Sequence, residues 1–290
     1  MKAQPWQLDP SHYDFSITLS PMYSHLDTER HVNNVAVQSL HSEVRVRFLM
    51  AVLGNDSWFS DHLLLRPRRT VTQFTGETHY GRDVLCAARV VAVEEDRFRL
   101  ALGLFQDGRC VGVQECLMGA WGDEAWVALP ASVREALTGR LGAEVVVADW
   151  PQSGSEEYSA RIHDYPSRSP LTMRYADLDP DRCLGELSVA RYTEQARAGS
   201  MDVIRMPGLS LLVARIDLRY HRWDKGFGDI TLASGVAGIG NTSFVLRGGV
   251  LMDDDLVATS ESIMVLMDQA SHRPTPVTDT MRAKMADISV

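Results

Sequence analysis

Little in this chain points to disulfides, a structural metal or a membrane span. Its 290 residues include four cysteines, Cys86, Cys110, Cys116 and Cys183, with no Cys-x-x-Cys pair and no histidines at zinc-finger spacing. They read as reduced thiols, and no metal or other cofactor is expected. No apolar run approaches the roughly 20 residues needed to cross a bilayer, and the first ten residues lack a basic segment followed by a hydrophobic one. The expectation is a soluble, untargeted, cytoplasmic protein without a membrane partner. Basic residues are in deficit, with 29 Lys and Arg against 38 Asp and Glu and a formal charge of −9. Phosphate-backbone binding leans on clustered Lys and Arg, so nucleic acid is not an expected partner. An anionic ligand would need a local basic site. Arg66, Arg68 and Arg69 form the densest cluster, and its plain reading is a solvated strand start.

Apolar residues make up 45% of the chain, enough for one large domain or two ordinary ones with real cores. Two domains are favoured because the chain repeats itself. Leu26-Asp27-Thr28-Glu29-Arg30-His31 aligns with Leu178-Asp179-Pro180-Asp181-Arg182-Cys183 at a spacing of 152 residues, and the match carries on to Val37 with Val189 and Arg45 with Arg197. Further on, a spacing of 146 aligns Asp83 with Asp229, Phe98 with Phe244 and Glu115 with Glu261. Each half therefore reads as an extended lead-in, a long helix and about four strands.

The first helix is predicted from about Asn34 to Leu53. Val37, Leu40, Val44, Phe48 and Val52 recur at three- and four-residue steps, which places one apolar stripe on one face. Asn33 or Asn34 can cap its first amides. The second helix, near 185–204, carries Val189, Tyr192, Ala196 and Val203 on the equivalent face. Strands are predicted at 83–93, 97–106 and 111–121, and again at 230–239, 243–252 and 256–267. The short polar breaks between them, such as Gln106-Asp107-Gly108 and Asp253-Asp254-Asp255, favour hairpins and so an antiparallel sheet. A short helix at 130–140 starts at Pro130. The breaker-rich stretch Pro151-Gln152-Ser153-Gly154-Ser155 then marks a boundary between an N-terminal domain, 1–150, and a C-terminal domain, 151–290.

Chemistry concentrates in Asp27-Thr28-Glu29-Arg30-His31-Val32-Asn33-Asn34, with Glu43 twelve residues beyond the histidine. An acid and an imidazole thus lie on a loop entering a helix, whose outward-pointing amides can polarise a carbonyl. Asp27, His31 or Glu43 could then position or deprotonate a water. The plain alternatives are that Asp27 only organises the loop and that Glu43 only pairs with Arg47 at i+4. Trp58 and Phe59, after the helix, either line a tunnel or close a core.

This segment resembles the hotdog thioesterases of the 4-hydroxybenzoyl-CoA thioesterase type. It is also similar to the plant acyl-carrier-protein thioesterases, which are fused double hotdogs. The resemblance covers both halves, 13–121 and 158–268. It implies an α+β fold of two tandem hotdog domains, each a long helix wrapped by an antiparallel sheet, paired as an intrachain pseudo-dimer with both sites at the shared interface. It further implies hydrolysis of an acyl thioester of coenzyme A or an acyl carrier protein. Asp27 would be the catalytic carboxylate, the Asn33-Asn34 helix start the carbonyl-binding end, and His31 and Glu43 part of the polar network. Glu29 departs from the pattern, standing where the plant-type enzymes have a catalytic asparagine, and their intact motif lies in the second half. Here the second half holds the altered version, with Asp179, Cys183 and Glu194 as a degenerate site. A fused dimer leaves one of two equivalent sites free to drift. Two other functions compete: a non-catalytic acyl-binding or regulatory protein, and an enoyl-thioester hydratase. The hydratase pattern resembles Asp-x-Asn-Pro followed by His, which is absent here. Acyl chain length and oligomeric state stay open.

Overall fold

The computed structural model describes residues 2–54, 64–122, 124–142, 145, 161–204 and 206–290, with backbone alone at Asp202 and Val203. Trp58, Phe59, the boundary stretch 151–157 and the side chain of Val203 lie outside the described residues. The chain divides into two compact units, Met1–Pro151 and Gln152–Val290. Among the described residues, no helix is long and apolar enough to cross a membrane.

In the first unit, β1 (Phe15–Leu19) precedes α1 (Asn34–Leu53). Then follow β2 (Leu64–Phe74), β3 (Val84–Val93), β4 (Arg97–Gln106), β5 (Arg109–Gly122), the short β6 (Ala125–Val127) and α2 (Ala131–Thr138). All pairings are antiparallel, in the spatial order β1-β3-β4-β5-β2, with β6 added on β5. The second unit repeats this plan with β7 (Ser167–Thr172), α3 (Glu186–Ile204), β8 (Leu209–Tyr220), β9 (Asp229–Ile239), β10 (Ser243–Met252) and β11 (Asp255–Asp268). Its order is β7-β9-β10-β11-β8, with β12 (Arg273–Pro274) added on β11 and α4 (Asp279–Ala286) closing the chain. Each unit is thus a long helix laid on a five-stranded antiparallel sheet.

The hairpin breaks form as their residues require. Asp107 and Gly108 have φ of 51° and 74°, and Asp253 and Asp254 have 52° and 67°. Two consecutive positive φ values belong to the two-residue turn whose twist matches flanking strands. The strands β2 and β8 were the least legible. The Arg-Pro-Arg-Arg run near the start of β2 hides its alternation.

Core formation explains the helix positions. The stripe Val37, Leu40, Val44 and Phe48 packs into one cluster with Leu100, Leu102, Leu104 and Met118. Each fully buried side chain of this size contributes on the order of 2 kcal/mol. In the second unit Val236, Phe244, Leu246, Met264 and Leu266 enclose Ile204 together with Met281 and Met285 of α4, a helix the hydrophobic pattern did not announce.

The opposite side of α1 is not fully solvated. Gln38, His41 and Arg45 are also buried, so burial extends beyond the apolar stripe and leaves Glu43, Arg47 and Ala51 on the more open face. Arg45 Nη1 donates to Cys116 Sγ at 3.5 Å, and Arg197 Nη1 of α3 donates to Ser262 Oγ at 3.3 Å. These pairs fall on the two repeat spacings, 152 for the arginines and 146 for their strand partners. Two arginines of the basic cluster on β2 are likewise not solvated. Arg66 is buried, while Arg68 pairs with Asp96 at 2.9 Å and lies over the Trp126 ring at 4.6 Å.

Neither ring nitrogen of His41 has a hydrogen-bond partner among the described residues. Burial, reinforced by Arg45, pushes its pKa from 6.5 down to about 3. The unfolded chain therefore takes up this proton near pH 6.5 while the folded one refuses it, so stability is full above that pH and falls as the pH drops toward 3. The expected slope is about 1.4 kcal/mol per pH unit below 6.5 for this group, with His221 shifted in the same direction. Urea midpoints measured from pH 7.5 to 5 should fall, and His41→Leu should flatten part of that fall. Identical profiles for the two proteins would refute the assignment.

Candidate active site

The lead-in to α1 is built from short-range hydrogen bonds. A 3₁₀ turn, Tyr23–His25, brings the chain to Leu26, which bridges Val32 in antiparallel fashion. Between them the chain reverses around Asp27. Its Oδ1 accepts from the amides of Glu29 at 2.9 Å and His31 at 3.0 Å, and its own amide donates to the His31 carbonyl at 2.9 Å. Arg30 is driven to φ 66°, a left-handed conformation that costs roughly 1–2 kcal/mol for a residue with a side chain. The ring of hydrogen bonds around Asp27 offsets that strain. No donor among the described residues reaches Asp27 Oδ2.

The helix then starts as the Asn pair suggests. Asn33 is the N-cap, its side-chain oxygen accepting from the Val35 amide at 2.7 Å, while its own amide donates to the His25 carbonyl at 2.8 Å. Val37 N–H bonds back to Asn33 O at 2.9 Å. The amides of Asn34 and Ala36 have no acceptor among the described residues. An N-terminus of a 20-residue helix thus presents open donors together with the positive end of the helix dipole.

A second loop, 75–83, closes against this one. The Thr78 carbonyl accepts from Val32 N–H at 3.0 Å. Glu77 comes to 3.6 Å from His31 Nε2 and 3.9 Å from His79 Nε2, and the two imidazole rings stand edge to face with centroids 6.1 Å apart. These separations exceed direct hydrogen bonds and suit a bridging water. The loop is held from below by buried Gln106. Its Oε1 accepts from His79 N–H at 2.8 Å, and its Nε2 donates to the carbonyls of His79 and Arg82 at 3.0 and 3.1 Å.

Asp27 and His31 therefore lie on the turn that leads directly into the helix start at Asn33 and Asn34, and Glu43 lies farther along the helix. Nine residues at 1.5 Å each put it about 14 Å along the axis from the helix start. There it accepts from Arg47 Nε at 2.8 Å on a half-exposed face. Glu77, His79 and Gln106 were not legible as site residues. Loop residues have no periodicity, and nothing in the linear sequence ties the segment 75–83 to His31.

The second unit carries the same turn with different chemistry. Asp179 Oδ1 accepts from Asp181 and Cys183 amides at 2.9 and 3.0 Å, and Arg182 has φ 64°. Cys183, in the place of His31, is fully buried and lies 3.5 Å from the Trp223 carbonyl. Asp177, in the place of His25, is also buried. Burial opposes its charge, yet bonds from Arg174 and Tyr192 hold its pKa below the usual carboxylate value. Glu194 lies 4.0 Å from Arg197. Among the described residues no cluster of His, Cys, Asp and Glu could hold a metal ion.

A long helix wrapped by an antiparallel sheet, occurring twice in one chain, is the double hotdog fold. Solved structures agree. A protein assigned as an oleoyl thioesterase from Lactobacillus plantarum superposes with a TM-score of 0.70 at 11% identity, covering 87% of this chain and 95% of that one. The 12:0-ACP thioesterase from Umbellularia californica gives 0.69 at 14%, covering 90% and 99%. An acyl-ACP thioesterase from Bacteroides thetaiotaomicron gives 0.65 at 10%, covering 86% and 97%. At such identities the likeness is one of fold. No protein-family model matches the chain, and no curated protein matches it in sequence.

Gln106 satisfies three backbone groups at once, so Gln106→Ala should destabilise the protein by about 2–3 kcal/mol, more than removing an ordinary hydrogen bond. Urea unfolding checks the value, and a loss below about 0.5 kcal/mol would show that the loop does not rest on this residue.

Proposed function

We propose that the chain hydrolyses an acyl thioester at the helix start of its first unit. The observation that carries this reading is the split role of Asp27: one oxygen is consumed by the turn that leads into α1, and no donor among the described residues reaches the other. The thioester oxygen would lie against the amides of Asn34 and Ala36, where developing negative charge is stabilised by donors already in place. A water oxygen would attack the carbonyl carbon as Asp27 Oδ2 takes its proton. The C–S bond then breaks, and the departing sulfur receives that proton by way of His31, which Glu77 and His79 hold in orientation. No metal or redox partner is required for this balance. Neighbours of the same fold named as thioesterases support the reaction class, and the substrate would be an acyl group on coenzyme A or a carrier protein.

One observation favours a second reading. Asp179 makes the same turn without a histidine at its side, so an aspartate here has a folding role even where no chemistry is expected. On that reading the protein binds acyl groups without turning them over.

Asp27→Asn separates the two readings, because the amide oxygen can still accept from Glu29 and His31 while the free oxygen is replaced by a donor. Thiol release from a panel of acyl thioesters should fall by about 10²-fold or more in kcat with the fold intact, as expected for loss of a general base. Asp179→Asn should leave the rate unchanged. His31→Ala should lower kcat, and Glu77→Gln should lower it less. Undiminished turnover in Asp27→Asn would eliminate the mechanism, and no thiol release from any substrate would favour the binding protein.

A further inference from the structure

Two large aromatic side chains stand in solvent beside the candidate site. Tyr23 is 76% exposed and Tyr80 50% exposed, with ring centroids 6.1 Å apart in an edge-to-face pair. Met22, next to them, is 58% exposed. Exposed apolar surface of this kind is usually retained for a ligand.

The pair is rigidly mounted. Tyr23 sits in the 3₁₀ turn where Met22 N–H donates to His25 Nδ1 at 3.2 Å, His25 N–H returns to Met22 O at 2.9 Å, and Asn33 of the helix start holds the His25 carbonyl. Tyr80 follows His79 on the loop clamped by Gln106. Both rings are thus tied to the same two loops that carry His31 and His79, and an edge-to-face pair leaves a ring face open. A flat heteroaromatic ligand can stack there without first ordering the protein.

Arg30, on the Asp27 loop, is exposed and has no side-chain partner among the described residues, whereas nearby Arg82 is tied to Asp107. His25, His31 and His79 add potential donors, with Glu29 and Glu77 as the opposing charges. The second unit differs. Its exposed Tyr175 and Phe227 form no ring pair, and the cleft of about 700 Å³ at Phe227 is lined by Asp229 and Asp253, which would repel phosphate.

We infer that the Tyr23–Tyr80 pair is an adenine-stacking platform and Arg30 a phosphate contact, so that the first unit takes its acyl group from coenzyme A. This rests on the thioester reading for its acyl part only, since nucleotide binding can be measured without turnover. A protein carrier has no base to stack.

The test titrates the full chain with coenzyme A, dephospho-coenzyme A and pantetheine by calorimetry, in the wild type, the Tyr23→Ala/Tyr80→Ala double variant and Arg30→Ala. Both tyrosines are exposed, and circular dichroism verifies that the variants fold. Loss of base stacking should weaken coenzyme A binding roughly tenfold or more and leave pantetheine binding unchanged. Arg30→Ala should weaken coenzyme A more than the dephospho form. The same double variant should raise KM for an acyl-CoA but not for the matching acyl-pantetheine. Wild-type protein that fails to bind coenzyme A, or a double variant that binds it equally well, overturns the inference. So does an equal loss toward acyl-carrier protein, which would make the patch a protein-docking surface. Tyrosine-dependent coenzyme A binding without hydrolysis would retain the platform and reject the hydrolase.

Discussion

The candidate site depends on one carboxylate oxygen. By accepting two backbone amides, Asp27 closes the turn that delivers His31, aligns Val32 with Leu26 and lets Asn33 cap α1. The turn holds Arg30 at φ 66°, a conformation an isolated residue avoids. Removing that acceptor would release the strained residue and detach the lead-in from the helix tip. The position of the potential reactive groups is thereby set by local backbone bonding, and the apolar core is needed only to keep the helix in place.

The helix itself is placed by two kinds of contact. Its apolar stripe supplies the nonspecific part of the energy, while the Arg45–Cys116 contact, echoed by Arg197–Ser262, fixes where along the strand it sits. Burying an arginine carries a desolvation penalty that a thiol or hydroxyl acceptor only partly offsets. Burial accordingly pulls the Arg197 pKa below its ordinary value. The recurrence of this pair at both repeat spacings indicates a registry role, with stability supplied by the surrounding side chains.

Much of the fold was legible in the sequence because its signals are periodic. The α1 boundaries, the Arg97–Gln106 and Ser243–Met252 strands, and the hairpin turns at Asp107 and Asp253 follow from apolar spacing and turn residues. The other face of α1 was not legible. Nothing in the apolar pattern marked Gln38, His41 and Arg45 as interior, and only the tertiary fold shows them buried. At the candidate site, the linear motif named Asp27, His31, Asn33 and Asn34, which are neighbours along the chain. Glu43 lies well along the helix and makes the i+4 pair with Arg47 that its spacing allowed. The motif could not reach Glu77, His79 or Gln106, whose proximity to His31 depends on a strand connection nearly fifty residues downstream.

The turn around Asp179 reproduces that around Asp27 almost bond for bond, although the imidazole has become a buried thiol. Maintenance of the aspartate is therefore under the control of folding, and reactivity is an added layer on top of it. After a gene duplication, mutations could erase catalysis from one copy without unmaking its architecture. An acid retained in both halves is in consequence poor evidence for two working centres, and the residues that differ around it distinguish the halves chemically.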